Sequence, residues 1–222
     1  MSKLIIFDCD GVLVDSEIIA SRIESQMLSK LGYPISVEES IKKFTGMTVL
    51  EYRNSVKALG IVSSNEELDA MQEAVKLALK TELQPLMLNV LEDLVFNDLK
   101  KCVASNSEPD RARQVLKTTH QDRFFNDNCI FTASQVKKGK PAPDLFLFAA
   151  QQMGCAPKDC LVIEDSILGI EAAKSADMSV IAFLGASHAQ FDWYRARIKK
   201  KEVPMVFSQE EVLSAIKDFI KK

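Results

Sequence analysis

The chain has 222 residues, of which 47% are hydrophobic and 27% are charged, and its formal net charge is −3. This length fits one domain, or one domain with an insertion, and it is enough for a substantial core. The slightly acidic balance argues against a nucleic-acid partner, and no run approaches the ~20 apolar residues of a membrane helix, so we expect no membrane association.

The chain enters an apolar run at once and shows no signal-peptide pattern, which favours a cytoplasmic protein. Its cysteines are five, an odd number, and they lack the spacing of a metal site. We therefore expect them to be reduced core residues. Cys9 lies between two acids, so a redox role is the alternative for that residue.

The first informative stretch covers residues 4–17, where four apolar residues lead directly into Asp8, Asp10 and Gly11. A short apolar run is typical of a buried strand. Side chains alternate along an extended backbone, so Asp8 and Asp10 project to the same side, and Gly11 permits a sharp turn. Two neighbouring carboxylates repel each other unless a cation or a proton lies between them. A plain turn after the strand is the alternative interpretation.

Residues 17–84 have a helical pattern and no convincing strand. Apolar residues recur at helical spacing over 17–31, before Gly32. Capping boxes at Ser36, Thr48 and Ser64 predict helices that end near residues 44, 59 and 83. The region is therefore expected to form a small helical bundle.

From residue 85 onward, short apolar strands alternate with helices. One predicted helix covers residues 88–99. Three more begin near residues 109, 141 and 209, and another ends at residue 173. The predicted strands cover residues 101–105, 129–132, 160–163, 180–183 and 205–207. Such alternation predicts a parallel sheet covered on both faces. The expected architecture is a doubly wound, Rossmann-like α/β core over residues 1–15 and 86–222, with an inserted all-helical cap domain over residues 16–85.

Polar side chains follow the predicted strands, where open parallel sheets bind their ligands. They are Asp8, Asp10, Ser105, Asn106, Lys140, Glu164 and Asp165. Four carboxylates in one cleft invite a hard cation, and oxygen ligands without a Cys/His set favour Mg²⁺ over zinc. Magnesium, a lysine and loop N–H groups together would form a receptacle for a phosphoryl group.

Four segments resemble, in order, the four motifs of the haloacid dehalogenase superfamily, in its β-phosphoglucomutase-like phosphatase branch with a helical cap. They are residues 7–17, 104–107, 139–144 and 162–170. The resemblance implies that Asp8 is the nucleophile and forms an aspartyl-phosphate. It implies that Asp10 protonates the leaving oxygen and then deprotonates the attacking water. Lys140 would bridge the phosphate and the Asp8 carboxylate.

The same resemblance implies a phosphate site and a metal site. Ser105 and Asn106 would hold phosphoryl oxygens. Mg²⁺ would be bound by Asp8, the main-chain carbonyl of Asp10 and Asp165, with Glu164 supporting the metal directly or through water. Dehalogenases of the superfamily lack the second acid of the first motif, so the presence of Asp10 argues against halide chemistry.

Simpler interpretations stay open for several of these residues. Ser105 and Asn106 could begin the next helix, Lys140 could lie in a solvated loop, and Glu164 and Asp165 could cap a helix. In the family, the loop that corresponds to Gly46 and Thr48 reaches the active site and recognises the leaving group. In this chain the loop could also be only a hinge between helices. The two histidines, His120 and His188, show no partner pattern and are expected at the surface. The basic run 195–201 is expected to be a solvated helix face.

These observations predict a Mg²⁺-dependent phosphatase that hydrolyses a small phosphate monoester, a sugar phosphate, through an aspartyl-phosphate intermediate. The expected partner is a small phosphorylated metabolite, and we expect a monomer. The alternative is a phosphosugar mutase of the β-phosphoglucomutase type, in which an arginine follows the cap-loop glycine by three positions. Val49 occupies that position here, although Arg53 lies one turn further on. A non-enzymatic protein that binds a phosphorylated ligand is a further alternative.

Overall fold

The protein, described from a computed structural model, is defined over residues 3–47 and 49–221. Its strands form one parallel sheet of six described strands in the order β3-β2-β1-β4-β5-β6. Their bounds are β1 Leu4–Phe7, β2 Lys100–Ser105, β3 Ile130–Thr132, β4 Cys160–Glu164, β5 Ser179–Phe183 and β6 Met205–Val206. The predicted doubly wound α/β class is confirmed, and each strand lies within one residue of its predicted bounds.

The helices cover both faces of the sheet and the interval between β1 and β2. Four lie in that interval: α1 Glu17–Lys30, α2 Val37–Phe44, α3 Val49–Ala58 and α4 Asn65–Glu82. The others are α5 Leu88–Phe96, α6 Pro109–Thr118, α7 Asp144–Gln152, α8 Ile167–Ser175, α9 Asp192–Lys199 and α10 Gln209–Ile220. Helix α5 ends three residues before its predicted end, because Asp98 takes a left-handed conformation with φ 51°.

Side chains of β1 alternate between two cores, as the period of a strand requires. Ile5 and Phe7 belong to a cluster with apolar residues of α5, α6 and α10. Leu4 and Ile6 belong to a second cluster, with residues of α7, α8 and α9 on the opposite face. All four residues of β1 are buried, which explains the uninterrupted apolar run.

Helices α1 to α4 have a small core of their own and also contact the main one. Leu28, Phe44, Tyr52 and Leu68 lie in a separate cluster of this region. The second half of α4 packs on the sheet's core, for example through Leu79. The capping boxes predicted at Ser36 and Ser64 are both formed. The box predicted at Thr48 falls outside the described residues.

Two chain segments join this helical region to the sheet, and they lie side by side. The Asp15 N–H donates to the Gln84 carbonyl at 3.0 Å, and the Leu86 N–H donates to the Leu13 carbonyl at 2.9 Å. The predicted domain boundaries, after residues 15 and 85, fall within these paired segments. The division into a core and a cap domain stays a prediction.

The small core of the helical region predicts a position-dependent loss of stability. Leu68 of α4 is buried within that core, so Leu68→Ala should lower the free energy of unfolding by about 2–5 kcal/mol. Urea denaturation followed by circular dichroism measures the change. Leu77→Ala on the same helix is the matched control, because Leu77 is 65% exposed. Equal losses for the two variants would contradict the packing described.

Candidate active site

The predicted site residues gather at the carboxyl end of β1 and β4, next to each other in the centre of the sheet. The chain leaves β1 for β2 on one side and returns to β4 on the other, so a crevice opens between their ends. The main-chain N–H of Asp8 donates to the carbonyl of Ile163 at 3.0 Å, which holds the two strand ends together. Asp8 therefore lies beside Glu164 and Asp165.

Three carboxylates converge at this point. One oxygen of each of Asp8, Glu164 and Asp165 lies within 4.8 Å of the other two, and all three residues are buried. Among residues 3–47 and 49–221, this is the one group of His, Cys, Asp or Glu side chains that could hold a metal ion. The donors are all hard oxygens, which fits Mg²⁺ and does not favour zinc.

The ammonium group of Lys140 is the counter-charge to this cluster. Its Nζ lies 2.7 Å from Oδ1 of Asp8 and 2.8 Å from Oε1 of Glu164, and the side chain is buried. Burial by itself would lower the pKa of Lys140, but the two carboxylates raise it above its ordinary value. Lys140 therefore stays charged. Its predicted alternative, a solvated loop lysine, is wrong.

Burial controls the charge of the acids around Lys140. It raises the pKa of Asp8 well above the ordinary range, while Lys140 opposes the shift and the neighbouring acids add to it. Burial and the Glu164 carboxylate raise the pKa of Asp165 in the same way. A divalent cation among these oxygens would favour their ionised forms.

Asp10 lies in a different electrostatic environment. Its Oδ1 accepts from Ser16 Oγ at 2.6 Å and from Arg111 Nη2 at 3.0 Å, and its Oδ2 accepts from Ser107 Oγ at 2.7 Å. Burial acts against ionisation, but Arg111 and the two hydroxyls outweigh it and lower the pKa of Asp10. The carboxylate of Asp10 lies outside the group of three, and its predicted metal contact, through the main-chain carbonyl, stays a prediction.

Two glycines are required by the close packing of the acids. Gly11 has φ +83°, and a Cβ there would overlap Oδ2 of Asp165. A Cβ at Gly169, on the first turn of α8, would overlap Oε1 of Glu164. Both positions therefore let the main chain approach a carboxylate more closely than any side chain allows.

Ser105 and Asn106, at the end of β2, line the cleft. The Asn106 Nδ2 donates to the Lys140 carbonyl at 3.0 Å, and its Oδ1 accepts from the Lys140 N–H at 2.9 Å. Its side chain thus fixes the main chain that carries Lys140. The alternative of an N-cap is wrong for both residues, because the N-cap of α6 is Glu108. Their contact with a phosphoryl group stays a prediction.

Both carboxylate oxygens of Glu164 accept hydrogen bonds, and its role in supporting a metal stays a prediction. Its Oε1 accepts from Lys140, while its Oε2 accepts from the main-chain N–H of Ser166 at 2.7 Å and from Ser166 Oγ at 2.9 Å. Ser166 is the N-cap of α8. The helix start therefore fixes the orientation of Glu164 within the cluster.

His188 is not at the surface, contrary to expectation. It is fully buried after β5, and its Nε2 lies 2.8 Å from Oδ2 of Asp165. Neither ring nitrogen makes an aligned hydrogen bond among the described residues. Burial lowers the pKa of His188, so the ring is neutral at pH 7. His120, by contrast, is exposed as expected.

A cavity of about 580 Å³ extends from the acids towards the helical region. Gly46 lines it and has φ +82°, so the loop after α2 reaches the site. Thr48, predicted to contact substrate from the same loop, falls outside the described residues. Arg53 also lines the cavity, where its guanidinium is paired with Asp69 of α4.

Two further carboxyl groups, which sequence reasoning missed, line this cavity from α1. They are Glu17 and Glu24, seven residues apart and therefore on one face of the helix. Burial raises the pKa of Glu17 to about 8, and Asp10 adds to the shift. Burial raises the pKa of Glu24 to about 7. The spacing of seven residues indicates that both glutamates lie on one face of α1, but the sequence does not indicate that this face lines the cavity.

In the part of the chain that the structure describes, no helix combines the length and the apolar character that crossing a membrane requires.

Comparison with known proteins identifies relatives over nearly the whole chain. A family model described as "Haloacid dehalogenase-like hydrolase" matches residues 5–183. A "6-phosphogluconate phosphatase" of Escherichia coli is 27% identical over 85% of this chain and 86% of its own length. A "Phosphorylated carbohydrates phosphatase" of Thermotoga maritima is 29% identical over 98% of this chain and all of its own. A solved haloacid dehalogenase-like protein of unknown function from Agrobacterium tumefaciens has a TM-score of 0.85 and 36% identity, with full coverage of both chains.

The shifted pKa of Glu24 predicts a pH-dependent stability. Burial raises the pKa of Glu24 in the folded state to about 7, from 4.5. Its contribution to the free energy of unfolding is therefore fully present below about pH 4.5 and is lost as the pH rises through 7. Glu24→Gln cannot ionise. When the pH is raised from 5 to 8, the free energy of unfolding should therefore fall by about 1–3 kcal/mol less for this variant than for the parent protein.

Urea denaturation of the metal-free protein at several pH values measures this difference. Glu38→Gln, an exposed acid of α2, is the matched control and should follow the parent curve. Parallel curves for Glu24→Gln and the parent would show that Glu24 ionises normally in the folded protein.

Proposed function

Because the chain belongs to the family of haloacid dehalogenase-like hydrolases, we propose that it is a Mg²⁺-dependent phosphatase of small phosphate monoesters, sugar phosphates in particular. The observation that carries the proposal is the ion-paired arrangement of Lys140 with Asp8, beside two further buried carboxylates. Phosphoryl transfer needs its developing negative charge stabilised by fixed positive groups. The phosphatase relatives support a phosphoric monoester hydrolase.

In the first step, an oxygen of the Asp8 carboxylate attacks phosphorus, and the bond from phosphorus to the ester oxygen breaks. An aspartyl-phosphate forms, and the leaving oxygen takes a proton from Asp10. Lys140 is already hydrogen-bonded to Oδ1 of Asp8, so it orients the nucleophile. A bound Mg²⁺, held by Asp8, Asp165 and Glu164 with the Asp10 carbonyl, would stabilise the negative charge of the phosphoryl oxygens.

Asp10 has to be protonated in the first step and ionised in the second. Its three hydrogen-bond donors favour the ionised form, which suits the base that takes a proton from the attacking water. A substrate phosphate brings negative charge next to Asp10, and that charge raises the pKa of the carboxyl group. The substrate itself therefore helps to supply the acid form. In the second step, water attacks phosphorus, Asp10 accepts its proton, and inorganic phosphate and free Asp8 are released.

The position of the helical region supports a role for it in selecting and enclosing the substrate. We propose that residues 16–85 act as a cap domain over the crevice, with the paired segments at its base as the connection to the core. Closure of such a cap would exclude bulk water from the reaction. A cytoplasmic location and a monomeric state remain predictions from the sequence.

The mutase alternative receives no support from the cavity. Val49 is 49% exposed and carries no charge, and Arg53 is paired with Asp69. The alternative of a non-enzymatic binding protein would not require Asp10 or Lys140, yet both are held at the site by hydrogen bonds. Phosphate release measured beside phosphosugar interconversion separates the three functions.

Substitution of the two aspartates tests the proposal. Asp8→Asn should abolish phosphate release, since the amide cannot act as nucleophile. Asp10→Asn should reduce the rate by about 10²–10⁴-fold, as loss of a general acid-base does. Malachite-green assay of phosphate release from sugar phosphates measures both effects, and EDTA should stop the parent enzyme until Mg²⁺ is restored.

The exposed Asp122 provides the control substitution, and Asp122→Asn should keep the parent rate. Near-normal turnover by Asp8→Asn, or turnover unaffected by EDTA, would contradict the assignment.

A further inference from the structure

We propose that the α1 wall of the cavity selects a neutral, hydroxyl-rich leaving group, and that Glu17 and Glu24 bind its hydroxyl groups. This inference rests on the proposed phosphatase function and adds the class of ester that the site accepts. It follows from the position of the two carboxyl groups, the carboxyl oxygens that no described residue contacts, and the pairing of each described cation on the cavity wall with an acid.

The two carboxyl groups form a row that leads away from the phosphoryl site. Glu17 lies near the reacting groups, since the charges of Asp10 and Arg111 act on it. Glu24 lies two turns further along α1, which corresponds to about 10 Å of helix. The cavity is therefore lined by acids from the phosphoryl site along a distance that suits an extended sugar or polyol chain.

These carboxyl groups have oxygens available for a ligand. Among residues 3–47 and 49–221, no hydrogen bond reaches the side chain of Glu17, and that of Glu24 accepts one, from Ser40 Oγ to Oε2 at 3.0 Å. Burial raises the pKa of Glu17 to about 8 and that of Glu24 to about 7. Near neutral pH, Glu17 is therefore mostly protonated, and Glu24 is protonated in about half of the molecules. A protonated carboxyl both donates and accepts a hydrogen bond, as a hydroxyl group does.

Helices α3 and α4 add uncharged groups to the lining of the cavity. Gln72 of α4 lines the cavity and offers an uncharged amide donor and acceptor. Val75 and Leu50 line it as well and can pack against C–H groups. A sugar or polyol has both kinds of surface, hydroxyl groups and C–H groups, along the same chain.

A second anionic group would find no free cation in this cavity. Among the described residues that line it, the cations are Lys140, Arg111 and Arg53, and each is paired with an acid: Lys140 with Asp8 and Glu164, Arg111 with Asp10, Arg53 with Asp69. A carboxylate or second phosphate on the leaving group would instead approach Glu17 and Glu24. An anion buried there without a counter-charge would lose its hydration without compensation, and the ionised fraction of the two glutamates would also repel it. The cavity should therefore reject phosphorylated sugar acids.

The test compares two esters that share one carbon skeleton. D-Glucitol 6-phosphate ends in a neutral CH₂OH group, whereas 6-phospho-D-gluconate ends in a carboxylate. At pH 7 with Mg²⁺, the parent enzyme should show a kcat/KM at least ~10-fold higher for the glucitol ester. An equal value, or a preference for the gluconate ester, would overturn the inference.

Variants of Glu24 test whether this residue is responsible for the preference for the neutral ester. Glu24→Leu cannot bind a hydroxyl group, so it should raise KM for glucitol 6-phosphate about tenfold and lose more activity with this ester than with p-nitrophenyl phosphate. Glu24→Gln keeps a donor and an acceptor and should retain the preference for glucitol 6-phosphate over 6-phosphogluconate. The exposed Glu38→Gln should match the parent in both constants. Equal losses for Glu24→Leu on the glucitol and p-nitrophenyl esters would overturn the assignment of Glu24.

The use of p-nitrophenyl phosphate separates this inference from the function on which it rests. No phosphate release from any ester, including p-nitrophenyl phosphate, would overturn the phosphatase proposal and this inference with it. Release from p-nitrophenyl phosphate without a preference between the two matched esters would overturn the inference alone.

Discussion

The structure depends on one buried ammonium group that holds two carboxylates together. Lys140 contacts both Asp8 and Glu164, and Asp165 lies within the same group. Without a counter-charge, three ionised acids at this spacing would repel each other, and their burial would strengthen the repulsion. Much of the local architecture maintains this contact. The Asn106 amide fixes the main chain at Lys140, the start of α8 fixes Glu164, and glycine at 169 leaves room for its carboxylate.

Two neighbouring aspartates on one short segment acquire different proton affinities from their surroundings. Asp8 is buried among acids, and its pKa rises. Asp10, two residues later, meets Arg111 and two hydroxyl groups, and its pKa falls. Pairs of titratable groups whose environments separate their pKa values commonly divide the acid and base roles of a reaction. Here the separation of the two pKa values suits the proposed roles. Asp8, the nucleophile, would need a nearby cation to be ionised, whereas Asp10, the base, is kept ionised by its hydrogen bonds.

The sequence predicted the parts of the site that lie in contiguous segments. Asp8, Lys140, Glu164 and Asp165 each follow a recognisable strand or precede a helix, so the strand pattern places them at one edge of the sheet. The residues missed are those whose role arises only when distant segments meet. His188 reaches Asp165 from the loop after β5, and Arg111 reaches Asp10 across 101 positions of the chain. The sequence around each shows ordinary helix or loop residues, and no local period marks them.

The division of charge within the cavity separates two tasks. At the strand ends, Lys140 and a bound cation would neutralise the phosphoryl group of the proposed substrates. Along α1, Glu17 and Glu24 form no ion pair with the residues that the structure describes, and burial raises their pKa values. A wall of this kind discriminates against charge and favours hydroxyl groups, because a charged group would be buried there without a counter-charge. Affinity for phosphate and choice of the leaving group thus depend on different residues, so a substitution on α1 can alter the second without removing the groups that serve the first.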